Sequence, residues 1–131
     1  MTPAEFRKIA LALPEAVEQQ HMEHPDFRVG GRIFATLGYP DAQWAMVKLF
    51  PDQQAAYVAA EPKTFVPVKG AWGKKGCTNV RLGSANKVRV HEAVHAAWRN
   101  ASVRVAIRKI EAKAPAKRTR KPARSAKRSA V

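Results

Sequence analysis

His91-Glu92-Ala93-Val94-His95 places two imidazoles four residues apart with a carboxylate between them. On a helix that spacing puts both rings on one face, where they can hold zinc while Glu92 acts as general base. Arg89 stands where the extended motif prefers an uncharged residue, and no downstream histidine or glutamate motif offers a third ligand. His21 and His24 would have to come across the fold to complete the shell. The plainer account is a helix whose Val90, Val94 and Trp98 pack inward with both histidines beside that stripe, half exposed. His21-Met22-Glu23-His24 is a second pair, able in principle to ligate a metal or shuttle a proton. On one strand, however, residues three apart face opposite sides, and His24 before Pro25 suits a turn.

Lys69-Gly70-Ala71-Trp72-Gly73-Lys74-Lys75-Gly76 combines glycines, adjacent lysines and an aromatic ring, the ingredients of a phosphate cradle. It is not a Walker loop, because the spacing from Gly70 to Lys74 and Lys75 is wrong and no Ser or Thr follows. As a wing against a nucleic-acid backbone, Lys74 and Lys75 would meet phosphates while Trp72 stacks on a base or packs beneath. Arg28, Arg32, Lys48 and Arg81 fall on expected strands and extend such a patch, or else belong to an ordinary solvated sheet face. Cys77 has no recognisable activating partner, and small apolar packing is the usual role of a lone cysteine.

The formal charge is +14, unevenly spread. Residues 1–111 hold 16 Lys+Arg against 10 Asp+Glu, a net +6, whereas residues 112–131 hold 8 basic residues and no acid, a net +8. Those eight are Lys113, Lys117, Arg118, Arg120, Lys121, Arg124, Lys127 and Arg128, interleaved with Ala and Pro as in the basic arms of linker-histone-like and nucleoid-associated proteins. A segment of this composition cannot bury enough apolar surface to offset its ordering entropy, so a disordered tail is expected. If it neutralises about six to eight phosphates, binding falls with salt at a log–log slope of roughly −5 to −7. DNA is favoured as the partner, and RNA satisfies the same electrostatics. An anionic membrane surface would attract the charge, but the tail has no aromatic or leucine residue to insert.

The elements that must position these groups are legible in outline. Thr2-Pro3-Ala4-Glu5 reads as a capped helix start, Phe6, Ile9, Ala10 and Leu13 share a face, and Pro14 stops the helix. Gly30-Gly31 forms a two-residue hairpin turn between Phe27–Val29 and Arg32–Leu37. Trp44 to Leu49 alternates as a strand, residues 52–61 form a second helix, and short strands follow at Phe65–Val68 and Thr78–Leu82. Ser84 or Asn86 caps a third helix, and helical spacing resumes at Val103, Ile107 and Ile110. The expectation is one two-layer α+β domain over residues 1–111, an antiparallel sheet flanked by about three helices, with residues 112–131 as tail. One cysteine excludes an intrachain disulfide, no apolar run approaches a membrane span, and the first residues lack signal-peptide character, so a cytoplasmic location is expected.

Phe6 to Ala16, leading into His24-Pro25-Asp26-Phe27-Arg28-Val29-Gly30-Gly31-Arg32-Ile33-Phe34-Ala35-Thr36-Leu37, resembles the MmcQ/YjbR family. The likeness continues through Gly70-Ala71-Trp72-Gly73, Thr78 to Leu82 and Ala96-Ala97-Trp98-Arg99, spanning the domain and none of the tail. Cys77 departs from it, standing where many relatives are expected to carry an aromatic residue. The resemblance implies a compact α+β fold like that of CyaY-type and double-wing domains. The DNA-binding label of that family rests on fold similarity to a double-wing transcription-factor domain. The expected function is non-enzymatic, largely sequence-independent nucleic-acid binding by a monomer without a cofactor. The alternative is a small-ligand or metal-dependent enzyme domain using His21 and His24 or His91 and His95.

Overall fold

The computed structural model describes residues 1–113. Helix α1 (Pro3–Leu11) opens on the expected capping box: the Thr2 hydroxyl accepts from the Glu5 amide at 3.1 Å, and the Thr2 amide donates to the Glu5 carboxylate at 2.8 Å. Four strands follow, β1 (Val17–His21), β2 (His24–Val29), β3 (Arg32–Leu37) and β4 (Trp44–Lys48), and then α2 (Pro51–Ala60). Strand β5 (Phe65–Pro67), the short α3 (Ala71–Lys74), β6 (Cys77–Arg81) and the long α4 (Lys87–Lys113) complete the described chain. The strands form one antiparallel sheet in the order β1-β2-β3-β4-β6-β5, with β6 inserted beside β4.

Register explains which side is dry. Phe27, Ala35, Val47 and Thr78 line up across four strands, as do Leu37, Ala45, Val80 and Phe65, and all eight are buried. Phe6 and Ala10 of α1 and Val90, Ala93, Val94, Ala97 and Ala101 of α4 close over this face. Each large apolar side chain hidden there contributes roughly 1.5–3 kcal/mol. The other face carries Trp44, Met46, Thr36 and Asp26. The architecture is the expected two-layer α+β, with four helices in place of about three, because Gly70 to Gly76 folds into a turn of helix.

A bulge sets the polarity of one strand end. Phe27 pairs with Ala35 but Arg28 pairs with Ile33, leaving Phe34 as the extra residue in β3. Phe34 is buried in the core, and beyond it the alternation shifts, so that Arg32 lies opposite the buried Val29 on the helix side. Asn86 caps helix α4, its side chain accepting from the Arg89 amide at 3.1 Å, and the helix runs unbroken from Lys87 to Lys113. At about 1.5 Å per residue it is about 40 Å long, and it carries Val103, Ile107 and Ile110 at the resumed helical spacing, all three exposed.

Both tight hairpins use left-handed backbone. Gly30 and Gly31 supply φ of 59° and 80° without steric cost, but β1 and β2 turn through Met22 and Glu23 at 49° and 66°. Side chains with a Cβ are strained there. Replacing Met22-Glu23 with Asn-Gly is therefore expected to stabilise the domain by about 1 kcal/mol, raising the melting temperature by roughly 4 °C. A variant melting at or below the wild type would show that the turn carries no strain.

Candidate nucleic-acid interface

At one end of the sheet, β3 begins with Arg32, β4 ends with Lys48 and β6 begins with Cys77. Antiparallel pairing makes these three strand ends neighbours. Helix α4 crosses above them with Asn100, Ala101 and Arg104, while α3 brings Trp72 and Lys75 to the side. Together they line a cavity of about 330 Å³ whose walls hold Arg32, Lys48, Lys75 and Arg104 and no carboxylate. The volume is at the lower end of the range for small-ligand sites.

The cations are held by neutral groups. The Nζ atoms of Lys48 and Lys75 lie 5.5 and 5.2 Å from the Trp72 ring centroid, and the Arg104 guanidinium sits 5.5 Å from that of Phe50. Asn100 ties helix to strand by donating to the Lys48 carbonyl at 3.3 Å and to the Gln53 side chain at 2.8 Å. The Gln54 amide donates to the carbonyls of Gly73 and Cys77, both at 3.0 Å, clamping α3 against β6. Burial, with the charges of Arg104 and Arg108, holds the Arg32 guanidinium below its ordinary pKa, yet an arginine stays charged at neutral pH. Among the described residues, Arg32, Lys48, Lys75, Arg104 and Arg108 make no ion pair with a carboxylate. Concentrated positive charge beside low-dielectric walls favours an anion. Cys77 lies buried at the floor, and burial pushes its thiol pKa up against the pull of Lys48 and Lys75, which leaves it unsuited to nucleophilic work at neutral pH.

The residues nominated from sequence are thus divided. Arg32, Lys48 and Lys75 converge with Trp72, which is 59% exposed at the rim. Lys74 is exposed on α3 beside the cavity without lining it. Arg28 faces the opposite side of the sheet, where it donates to Asp26 at 2.7 and 3.1 Å. Arg81 lies opposite Trp44 with its guanidinium 4.9 Å from that ring. A single strand-face patch including Arg28, Arg32 and Arg81 therefore does not exist. Lys113 is the last residue of α4, and Lys117, Arg118, Arg120, Lys121, Arg124, Lys127 and Arg128 lie outside the described residues. Sequence reading missed Asn100, Arg104 and Arg108, although their four-residue spacing on a helix was the available signal.

The histidines part company as well. His91 and His95 are exposed, Glu92 is 3.7 Å from Arg89, and His95 stacks on Trp98 with centroids 5.7 Å apart. No group of three His, Cys, Asp or Glu side chains is placed to hold a metal among the described residues. His21 and His24 correct the strand argument: Met22 and Glu23 form the turn, so the two histidines lie on separate strands and pair directly across them. His24 packs edge-on against Tyr39, while His21 Nδ1 donates to the Asp26 carboxylate at 2.7 Å. Asp26 is completely buried, and its Arg28 partner, followed by His21, holds its carboxyl below the ordinary pKa despite that burial. Asp26 fastens β1 to β2 and, fully buried, is closed to an incoming substrate.

A second cavity, of about 320 Å³, lies between Pro14 and α4 near Trp98 and Ser102, with Glu15 and Lys109 at its edge. Its opposed charges give no comparable field. No helix among the described residues is long and apolar enough to cross a membrane.

A family model described as YjbR matches residues 11–100, which takes in Arg32, Lys48, Trp72, Lys75 and Asn100 and stops short of Arg104. Among solved structures the chain is similar to the crystal structure of a Deinococcus radiodurans protein with the domain DUF419. The two share 17% identity with a TM-score of 0.64, over 80% of this chain and 88% of that one, a likeness of fold. No curated protein matches the chain.

Proposed function

The chain belongs to the YjbR family, and on that footing we propose that it is a non-enzymatic nucleic-acid-binding protein whose folded domain grips backbone phosphate in the cavity at the sheet end. The observation that carries this reading is the convergence of Arg32, Lys48, Lys75 and Arg104 on one concavity without a carboxylate. Phosphate is the anion such a cluster suits, and contacts of this kind position a strand without reading its sequence. The eight basic residues of 112–131 supply further phosphate contacts, so that affinity is shared between the domain and the tail. DNA is the favoured partner, and a cytoplasmic, nucleoid-associated location accords with it.

The test is fluorescence anisotropy with a labelled DNA over a salt series, comparing the full chain with Arg32→Ala/Arg104→Ala. Each phosphate contact contributes about 0.9 to the log–log salt slope. The double variant is expected to lose about two units of slope and at least roughly tenfold in affinity at low salt, evenly across sequences. Its melting temperature is expected to hold or rise, since Arg104 and Arg108 repel Arg32 in the free protein. An unchanged slope would remove the cavity from the interface and leave the tail alone with the binding.

A further inference from the structure

We propose that the nucleic acid taken by this site is single-stranded, with a phosphate in the cavity and the neighbouring unpaired base stacked on Trp72; this rests on the phosphate-binding reading of the same cavity.

Trp72 is the feature that a phosphate cradle alone does not explain. A phosphate site needs cations and amides, whereas Trp72 places a large aromatic ring, 59% exposed, at the mouth of the cation cluster. Lys48 and Lys75 lie over the ring, yet the residue stays 59% exposed. The platform is rigid: Gln54 fixes the Gly73 carbonyl, and Gly73 itself is buried so closely against the Val68 carbonyl that no side chain fits. With the backbone beneath it pinned, the ring has a fixed base to stack from, and every base has a π-face, so stacking is tolerant of sequence. The spacing is also right, because the two ammonium groups within 5.5 Å of the ring can hold the phosphate flanking the stacked base.

Duplex DNA cannot use this arrangement. Its bases are covered on both faces by neighbours, so the ring would meet only a groove edge or a backbone, and unstacking a base costs a few kcal/mol. A strand with free bases has no such penalty. Discrimination therefore comes from Trp72 and bulk affinity from the cations.

The experiment uses the full chain, the wild type, Trp72→Ala and Trp72→Phe, with labelled oligothymidine of about twelve nucleotides, in the usual site-size range, and a duplex of equal length. Anisotropy is read at a salt concentration near the physiological value. The wild type is expected to bind oligothymidine about tenfold or more tightly than duplex. Trp72→Ala is expected to lose that preference, its loss on oligothymidine exceeding its loss on duplex by about tenfold, and Trp72→Phe to keep most of it. Equal losses on both probes would make the ring a mere support for Lys48 and Lys75 and overturn the proposal. So would a Trp72→Ala protein that prefers single strands as the wild type does. If Arg32→Ala/Arg104→Ala leaves both affinities unchanged, the phosphate reading itself fails and the stacking proposal with it. If that double variant weakens both probes while Trp72→Ala weakens neither, only the single-strand inference falls.

Discussion

Asp26→Asn is expected to lower the melting temperature by roughly 10 °C and to flatten the acid limb of the stability curve. Asp26 is fully buried on the open side of the sheet, where its carboxylate accepts from Arg28 Nε and Nη2 and from His21 Nδ1. Deleting one member of such a group leaves the others with unmatched charge and hydrogen-bonding capacity, which costs about 3 kcal/mol for a largely buried site. For a domain of this size that corresponds to the stated shift in melting temperature. The sign of the pH effect follows from the lowered carboxyl pKa. The folded protein holds Asp26 ionised below the ordinary value of 3.8, chiefly through the hydrogen bonds from Arg28. Its stabilisation is complete above that pH and is lost as pH falls through the lower folded value. Thermal melts of wild type and variant should therefore be far apart at pH 7 and converge below about pH 4. Glu5, held down to about 2 by the Thr2 amide and Lys87, gives both proteins a residual acid loss. Parallel curves across the acid range would show that Asp26 is not the titrating partner of Arg28.

What could be read from the chain depended on whether the signal was local. The Thr2–Glu5 capping box, the Gly30-Gly31 turn and the Ala45/Val47 alternation depend on neighbours within a few residues, and each appears in place. The site depended on contacts that no window contains. Arg28 and Arg32 stand four apart on two strands of a hairpin and look interchangeable. The extra Phe34 turns Arg32 toward α4 and leaves Arg28 to Asp26 on the opposite side. His21 and His24 look like one strand with three-residue spacing, but left-handed backbone at Met22 and Glu23 makes them a facing pair. Arg104 lies 72 positions from Arg32 along the chain, and only the crossing of α4 over the strand ends brings them to one cavity. Trp72 was divisible between core and surface because its helix is a single turn, too short to show a periodicity.

Gly76→Ala is expected to destabilise the domain by more than about 3 kcal/mol and to dismantle the cavity. Two independent constraints act on this residue. Its φ of 110° lies where L side chains are strained, and a methyl group there would land on the carbonyl oxygen of Leu49. That oxygen cannot swing away freely, because Leu49 is buried and follows Lys48, whose own carbonyl accepts from Asn100 of α4. Nor can Gly76 retreat: its carbonyl accepts from the buried Thr78 hydroxyl at 2.8 Å, and Thr78 is paired with Val47 in the core row. The close approach of these two backbones is what sets Lys75 beside Lys48, so relief of the clash must separate the two ammonium groups and move Trp72 with them. The expected result is a protein with a lower melting temperature and a shallower salt slope on single-stranded DNA than wild type. Gly83→Ala serves as the comparison, since a methyl at Gly83 meets nothing within 4 Å, and it should melt and bind as wild type does. If Gly76→Ala melts with Gly83→Ala and keeps the full slope, the contact between β4 and the start of β6 is not what holds the cations together.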